Sequence, residues 1–265
     1  MIKGKTIVVN RIIILTIFIV LANTTLGQEE GFIATADQLA ITVVNLRKLG
    51  TNGVDSVGTG CFIEKNGELY IITAAHVAKM MDIHSDVIIQ GKNNKPVKLA
   101  LFTLALPIEW KFHDKADLAI LKLTPTQEVI QKYLQERFIP YNTIDTSEVS
   151  IPRNTQLTVI GFPLGYGVQE YFSPLTFRTF PSSGLITLKR ADTKTLQTFI
   201  ILENPSVGGY SGGPVFDLGI IQSGVMEMRS GRTKLHGFIH GTISDETGGK
   251  MAAITPAFYV KDFFK

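Results

Sequence analysis

An all-β protein of antiparallel strands, built as barrels or sandwiches, is the fold class this sequence predicts, on three observations. Apolar runs are short and are separated by turn signals along most of the chain. Two of the separators, Lys65-Asn66-Gly67-Glu68 and Gly91-Lys92-Asn93-Asn94-Lys95, lie between runs that can pair as hairpins; Asn-Gly in particular suits a two-residue turn with positive φ at both central positions. Finally, 45% of the 265 residues are hydrophobic and only 18% are charged. That supplies a sizeable core, in one large domain or two small lobes, and argues against extensive disorder.

Taken in order, the chain opens on a segment of its own. Lys3, Lys5 and Arg11 precede the apolar run Ile12 to Ala22, and the small and polar residues Asn23-Thr24-Thr25-Leu26-Gly27 follow. This is the order of a secretory signal peptide cleaved near Gly27, which would leave Gln28 first and place the protein in the periplasm or outside the cell. The apolar run is short for a membrane span, so no stable membrane insertion is expected after cleavage; an uncleaved anchor over residues 12–22 is the other reading. Strands are expected at Ile41 to Leu46, Gly58 to Ile63, Leu69 to Thr73, Asp86 to Gln90, Pro96 to Ala105 and Leu118 to Leu123. Pro125 to Arg137 has helical character, and the polar stretch Tyr141 to Arg153 reads as a connection. Gln156 to Ile160, Gly184 to Lys189, Thr198 to Glu203, Pro214 to Phe216, Ile220 to Met226 and Met251 to Ile254 supply the later strands. Pro256 to Phe264 reads as a closing helix opened by proline.

The leader carries three basic and no acidic residues, so it accounts for the whole net charge of +3 and the rest of the chain is neutral. A neutral body has no electrostatic footprint for nucleic acid or an anionic membrane. Cys61 is the single cysteine, which rules out an intrachain disulfide and reads as a small buried hydrophobe rather than a reactive thiol.

The stretch Gly208-Gly209-Tyr210-Ser211-Gly212-Gly213-Pro214 carries the chemistry. So much glycine around a serine suits a tight turn in which the hydroxyl and nearby N–H groups converge on one ligand atom. Upstream, Thr73-Ala74-Ala75-His76 ends an apolar run, and Ala116-Asp117-Leu118-Ala119-Ile120-Leu121 lies between the two. A serine hydroxyl needs a base to take its proton; His76 can serve, and Asp117 can fix its tautomer. A histidine base implies activity rising with pH through a single ionisation at or somewhat above about 6.

With TAAH, DLAIL and GYSGGP in that order, and a Gly161-Phe162-Pro163 turn after an apolar strand, the chain resembles the trypsin-like, chymotrypsin-fold serine peptidases over roughly residues 36 to 262. It resembles the bacterial, disulfide-free protease domain of Deg/HtrA proteins, without a PDZ module. The resemblance implies two antiparallel six-stranded β-barrels with a C-terminal helix, one lobe over residues 28–140 and the second over 141–265. It implies a serine endopeptidase acting on polypeptides without cofactor or metal, with His76, Asp117 and Ser211 as catalytic residues. It puts the oxyanion hole at the N–H groups of Gly209 and Ser211, and a substrate pocket near Pro205, Ser206, Ser223, Gly224 and Val225. Animal relatives bridge the Cys61 region to a cysteine after the histidine, where this chain has Val77. Neither Pro205 nor Ser206 is acidic, so the implied preference is for a small or medium apolar side chain; Glu203 and Glu227 are near enough to reverse it.

The rivals are few. Asp114 sits three residues before Asp117 but among polar neighbours, whereas Asp117 opens an apolar strand where an unpaired carboxylate would be costly. His84, His113, His236 and His240 lack the strand-end setting of His76, and zinc at His236 and His240 is disfavoured because Gly237 and Gly241 make a helix there improbable. An α/β-hydrolase esterase would place its histidine after the serine and acid; a trypsin-like fold retained as a non-catalytic binding protein is the alternative that stays open.

Overall fold

The computed structural model describes residues 31–50, 53–190, 193–223, 226–229, 231–244 and 250–265. The leader expected over residues 1–27, and Gly224 and Val225 of the expected substrate pocket, lie outside the described residues.

Two sheets account for most strands. The first uses β1 (Val43–Lys48), β2 (Ser56–Lys65), β3 (Glu68–Thr73), β4 (Asp86–Gln90), β5 (Pro96–Ala100), β6 (Trp110–Phe112), β7 (Ala119–Lys122) and β8 (Ile139–Pro140), in the order β5-β4-β1-β2-β3-β7-β6 with β8 parallel to β2. The second uses β9 (Leu157–Gly161), β10 (Leu175–Thr179), β11 (Ile186–Lys189), β12 (Leu196–Leu202) and β13 (Pro214–Asp217). After the separate hairpin β14 (Ile220–Ser223) and β15 (Met226–Arg229), it is completed by β16 (Lys234–Ser244) and β17 (Lys250–Pro256), in the order β10-β9-β13-β16-β17-β12-β11. Apart from β8, neighbours along both paths are antiparallel. The all-β class is borne out, and short pairings such as β8 bring the sheets to eight and seven strands. The β2–β3 hairpin turns on Asn66 and Gly67 at φ 53° and 79°, the positive values a two-residue turn requires.

Alternation along the strands decides where the core sits. In β2, Cys61 and Ile63 face one cluster and Phe62 another; in β3, Ile72 joins the first and Ile71 the second. From the second sheet, Ile160, Phe216, Leu235 and Phe238 enter the cluster of Cys61, together with Ala257 and Val260. Val159, Val215, Ile239 and Ile254 form a cluster of their own. This period-2 partition gives each sheet its own core and a shared one between them, bringing the end of β3 close to the start of β13. Cys61 is fully buried, and burial pushes its thiol well above the usual range.

Three segments depart from the sequence reading. The run Pro96 to Ala105 is a strand only to Ala100, after which Leu101–Leu104 turns as a short helix that buries Leu101 and Leu104. The helical stretch after Pro125 is an α-turn, Gln127–Val129, widened into a π-helix over Ile130–Leu134. The closing helix is a 3-10 helix over Ala257–Phe264, with Pro256 the last residue of β17. Strand β16 has no counterpart in the sequence reading, because its glycines at 237 and 241 interrupt the apolar alternation.

The segment before β9 is tied to β16: Ile144 bridges Leu235, the Asp145 N–H donates to the Leu235 carbonyl at 2.9 Å, and the Asp145 carboxylate meets His236 Nδ1 at 3.1 Å. The hydrogen bond to His236, aided by Ser147, holds the Asp145 carboxyl well below the usual carboxylate range despite partial burial. Because the folded value is depressed, this contribution to stability is present above the ordinary carboxyl value of about 3.9 and is lost as pH falls toward the folded one. Asp145→Asn is expected to lower stability near neutrality and to flatten its decline in acid. Urea unfolding at a series of pH values checks this; parallel curves for parent and variant would contradict it.

Candidate active site

His76 lies in the one-turn helix Ala75–Ala78 that begins where β3 ends. Asp117 precedes β7, the antiparallel neighbour of β3 in which Thr73 faces Ala119, and this pairing sets the carboxylate beside the imidazole. The His76 N–H donates to Asp117 Oδ1 at 3.0 Å, and His76 Nδ1 lies 2.7 Å from Oδ2. Asp117 is fully buried, whereas the rival Asp114 is exposed. With the bond at Nδ1, the other ring nitrogen is left for a proton acceptor's role.

The carboxylate has further partners that the sequence reading missed. His240 Nδ1 also meets Oδ2, at 2.6 Å, and an Arg190 Nη donates to Oδ1 at 3.2 Å. The Asp117 N–H donates to Gln197 Oε1 at 2.8 Å, and Gln197 Nε2 is held by the Thr255 hydroxyl at 2.9 Å. Burial pushes the Asp117 carboxyl up, but the hydrogen bonds from His240 and His76 outweigh it and keep the group far below the usual carboxylate range. The acid therefore stays ionised.

By sequence, His240 shares with His84, His113 and His236 the lack of a strand-end setting. Of these, His84 is exposed, His113 accepts from the Lys115 and Ala116 N–H groups and meets Asp262, and His236 pairs with Asp145. His240 alone joins His76 at the carboxylate, on the unforeseen strand β16. One nitrogen from each ring and a carboxylate oxygen lie within 4.8 Å of one another, close enough in principle to share a cation. At 2.6 and 2.7 Å, however, both nitrogens already make charge-assisted hydrogen bonds to a single oxygen, and Arg190 supplies a positive charge on the other side.

Ser211 sits on the turn between β12 and β13. Gly209 has φ 97°, and a Cβ there would lie 2.4 Å from the Phe162 carbonyl oxygen and 2.7 Å from the Leu164 nitrogen. Only glycine fits both the conformation and the space. Among the described residues, neither the Gly209 nor the Ser211 N–H has a hydrogen-bond acceptor, the condition for donors to serve an incoming oxyanion. Thr59 of β2 holds the turn from the first sheet: its hydroxyl donates to the Gly209 carbonyl at 2.7 Å and accepts from the Phe162 N–H at 3.1 Å, and its N–H donates to the Ser211 carbonyl at 2.9 Å.

The Ser211 hydroxyl donates to the His240 carbonyl at 3.3 Å, and no Ser211–His76 hydrogen bond occurs among the described residues. Of the residues expected to bind substrate, Pro205 is exposed, while Ser206 is buried and its carbonyl accepts from the Thr242 hydroxyl at 2.6 Å. Glu203 is exposed, and Ser223 ends β14.

The chain is similar to proteins of solved structure. The Rv3671c protease of M. tuberculosis in its active form superposes with a TM-score of 0.55 at 17% identity, over 85% of this chain and 80% of that one. The inactive form of the same protein gives 0.54 at 16% identity, over 88% and 94%. The serine endoprotease of Yersinia pestis gives 0.50 at 17% identity, over 87% of this chain and 65% of that one. At such identities the likeness speaks for the fold, which is the chymotrypsin-like one. Among curated proteins none matches the chain. The family of the trypsin-like peptidase domain matches residues 58–219, a span that includes His76, Asp117 and Ser211, and this chain belongs to that family.

Proposed function

We propose that the protein is an exported serine endopeptidase in which Ser211 is the nucleophile, His76 the general base and Asp117 the residue that orients it. The observation that carries this reading is the buried, ionised Asp117 bonded to His76 Nδ1, beside a serine on a glycine turn with two unoccupied N–H groups. In the reaction the Ser211 hydroxyl leaves the His240 carbonyl, gives its proton to His76 Nε2 and attacks the peptide carbonyl carbon. The Gly209 and Ser211 N–H groups receive the oxyanion. The leaving amine takes the proton from His76, and water, activated by the same imidazole, releases the acyl group from Ser211. Export rests on the signal-like order of residues 1–27, and a preference for small or medium apolar side chains rests on the lack of an acid at Pro205 and Ser206.

A non-catalytic binding protein is the second reading, favoured by the Ser211 hydroxyl resting on His240 rather than on His76. A fluorophosphonate probe separates the two, because it reacts only with an activated serine. Covalent labelling at Ser211, located by mass spectrometry and unaffected by EDTA, is expected. Intact protein that remains unlabelled, or labelling that zinc alone restores after chelation, would contradict the proposal.

A further inference from the structure

Strand β16 changes register against β17 at the site: Ile239 faces Ile254 and Gly241 faces Ala253, leaving His240 as the extra residue of a bulge. A bulge re-aims one side chain and frees its backbone from the ladder. Both effects are used here. The ring of His240 turns to Asp117 Oδ2 at 2.6 Å, and its carbonyl accepts from the Ser211 hydroxyl at 3.3 Å. One residue thus touches the orienting acid with its side chain and the nucleophile with its backbone.

We propose, resting on the peptidase reading above, that His240 is a positioning residue for the triad and that it works only as the neutral imidazole. Two rings share one carboxylate oxygen, and they stand edge to face with centroids 5.9 Å apart. Neutral His240 donates from Nδ1 and fixes the carboxylate without adding charge. Cationic His240 would stand against the imidazolium that His76 must become during the reaction, with the Arg190 guanidinium already on Oδ1. Among the described residues, the charged or titratable groups that meet the ring are Asp117 and His76, with Arg190 on the far oxygen of the same carboxylate. From β12 the uncharged ring of Phe199 packs against it at 5.0 Å, and the residues opposite the bulge on β17, Ala253 and Ile254, are apolar. Protonation of His240 therefore opposes the protonation of His76 that the reaction needs, and the pH dependence belongs to the coupled pair rather than to His76 alone.

The test is the rate of fluorophosphonate labelling across pH for the full chain, its His240→Ala variant and its His240→Asn variant, which keeps an N–H donor that cannot titrate. His240→Ala is expected to slow labelling about 100-fold, as for a catalytic group displaced by about an ångström, and His240→Asn to recover most of that loss. On the acid side, the midpoint of the labelling profile is expected to differ between the parent and His240→Asn. Coincident profiles for the two would overturn the proposal, and the His240→Asn comparison decides even if His240→Ala fails to fold. If the parent is not labelled at all, the peptidase reading falls, and nitrogen NMR titration of the His76 ring decides this point separately. A midpoint displaced by His240→Asn supports the coupling through Asp117; an unchanged midpoint overturns it.

Discussion

Asp117→Asn is expected to slow both probe labelling and peptide hydrolysis about 10⁴-fold, the scale on which a triad histidine loses its working tautomer. The carboxylate accepts from four donors: the His76 N–H and Nδ1, His240 Nδ1 and Arg190. An asparagine offers one oxygen and turns an NH₂ group on two of those donors. The ring of His76 must flip or retreat, and Arg190, only 4% exposed, loses its bond to a carboxylate. Stability is expected to fall by about 3 kcal/mol, as when a buried pair is broken from one side. Denaturant unfolding and labelling rates read the two effects independently; a variant that keeps parent-like rates would remove Asp117 from the mechanism.

Ser211→Ala, and separately His76→Ala, are each expected to reduce hydrolysis of a mixed peptide library about 10⁶-fold, and the double variant no further, because nucleophile and base act as one unit. Among the described residues the hydroxyl bonds only to the His240 carbonyl, so its loss is expected to change stability by about 1 kcal/mol at most. Retention of parent-like hydrolysis by either single variant would sink the assignment, and near-normal unfolding of Ser211→Ala separates lost chemistry from lost structure.

The strands that hold the site were legible where pattern and turn agree. The Asn66-Gly67 hairpin, the apolar run into His76 and the apolar run out of Asp117 all fall where the sequence placed them. The pairing of β3 with β7, which makes neighbours of two distant residues, was not legible in any local pattern. His240 escaped because a bulge breaks the alternation by which strand side chains are assigned to faces, and Gly237 and Gly241 hide the strand itself. Arg190 and Gln197 escaped for a different reason. Each lies far along the chain from Asp117, and nothing in a local pattern tells a buried arginine that meets a carboxylate from one that meets solvent.

The three bonds from Thr59 to the serine turn and its neighbour Phe162 make the first sheet a buttress for a turn that belongs to the second. Thr59 lies in the first sheet, and Gly209 and Ser211 belong to the second. Loosening the contact between the two sheets would therefore loosen the serine turn as well, because its glycines hold no shape of their own.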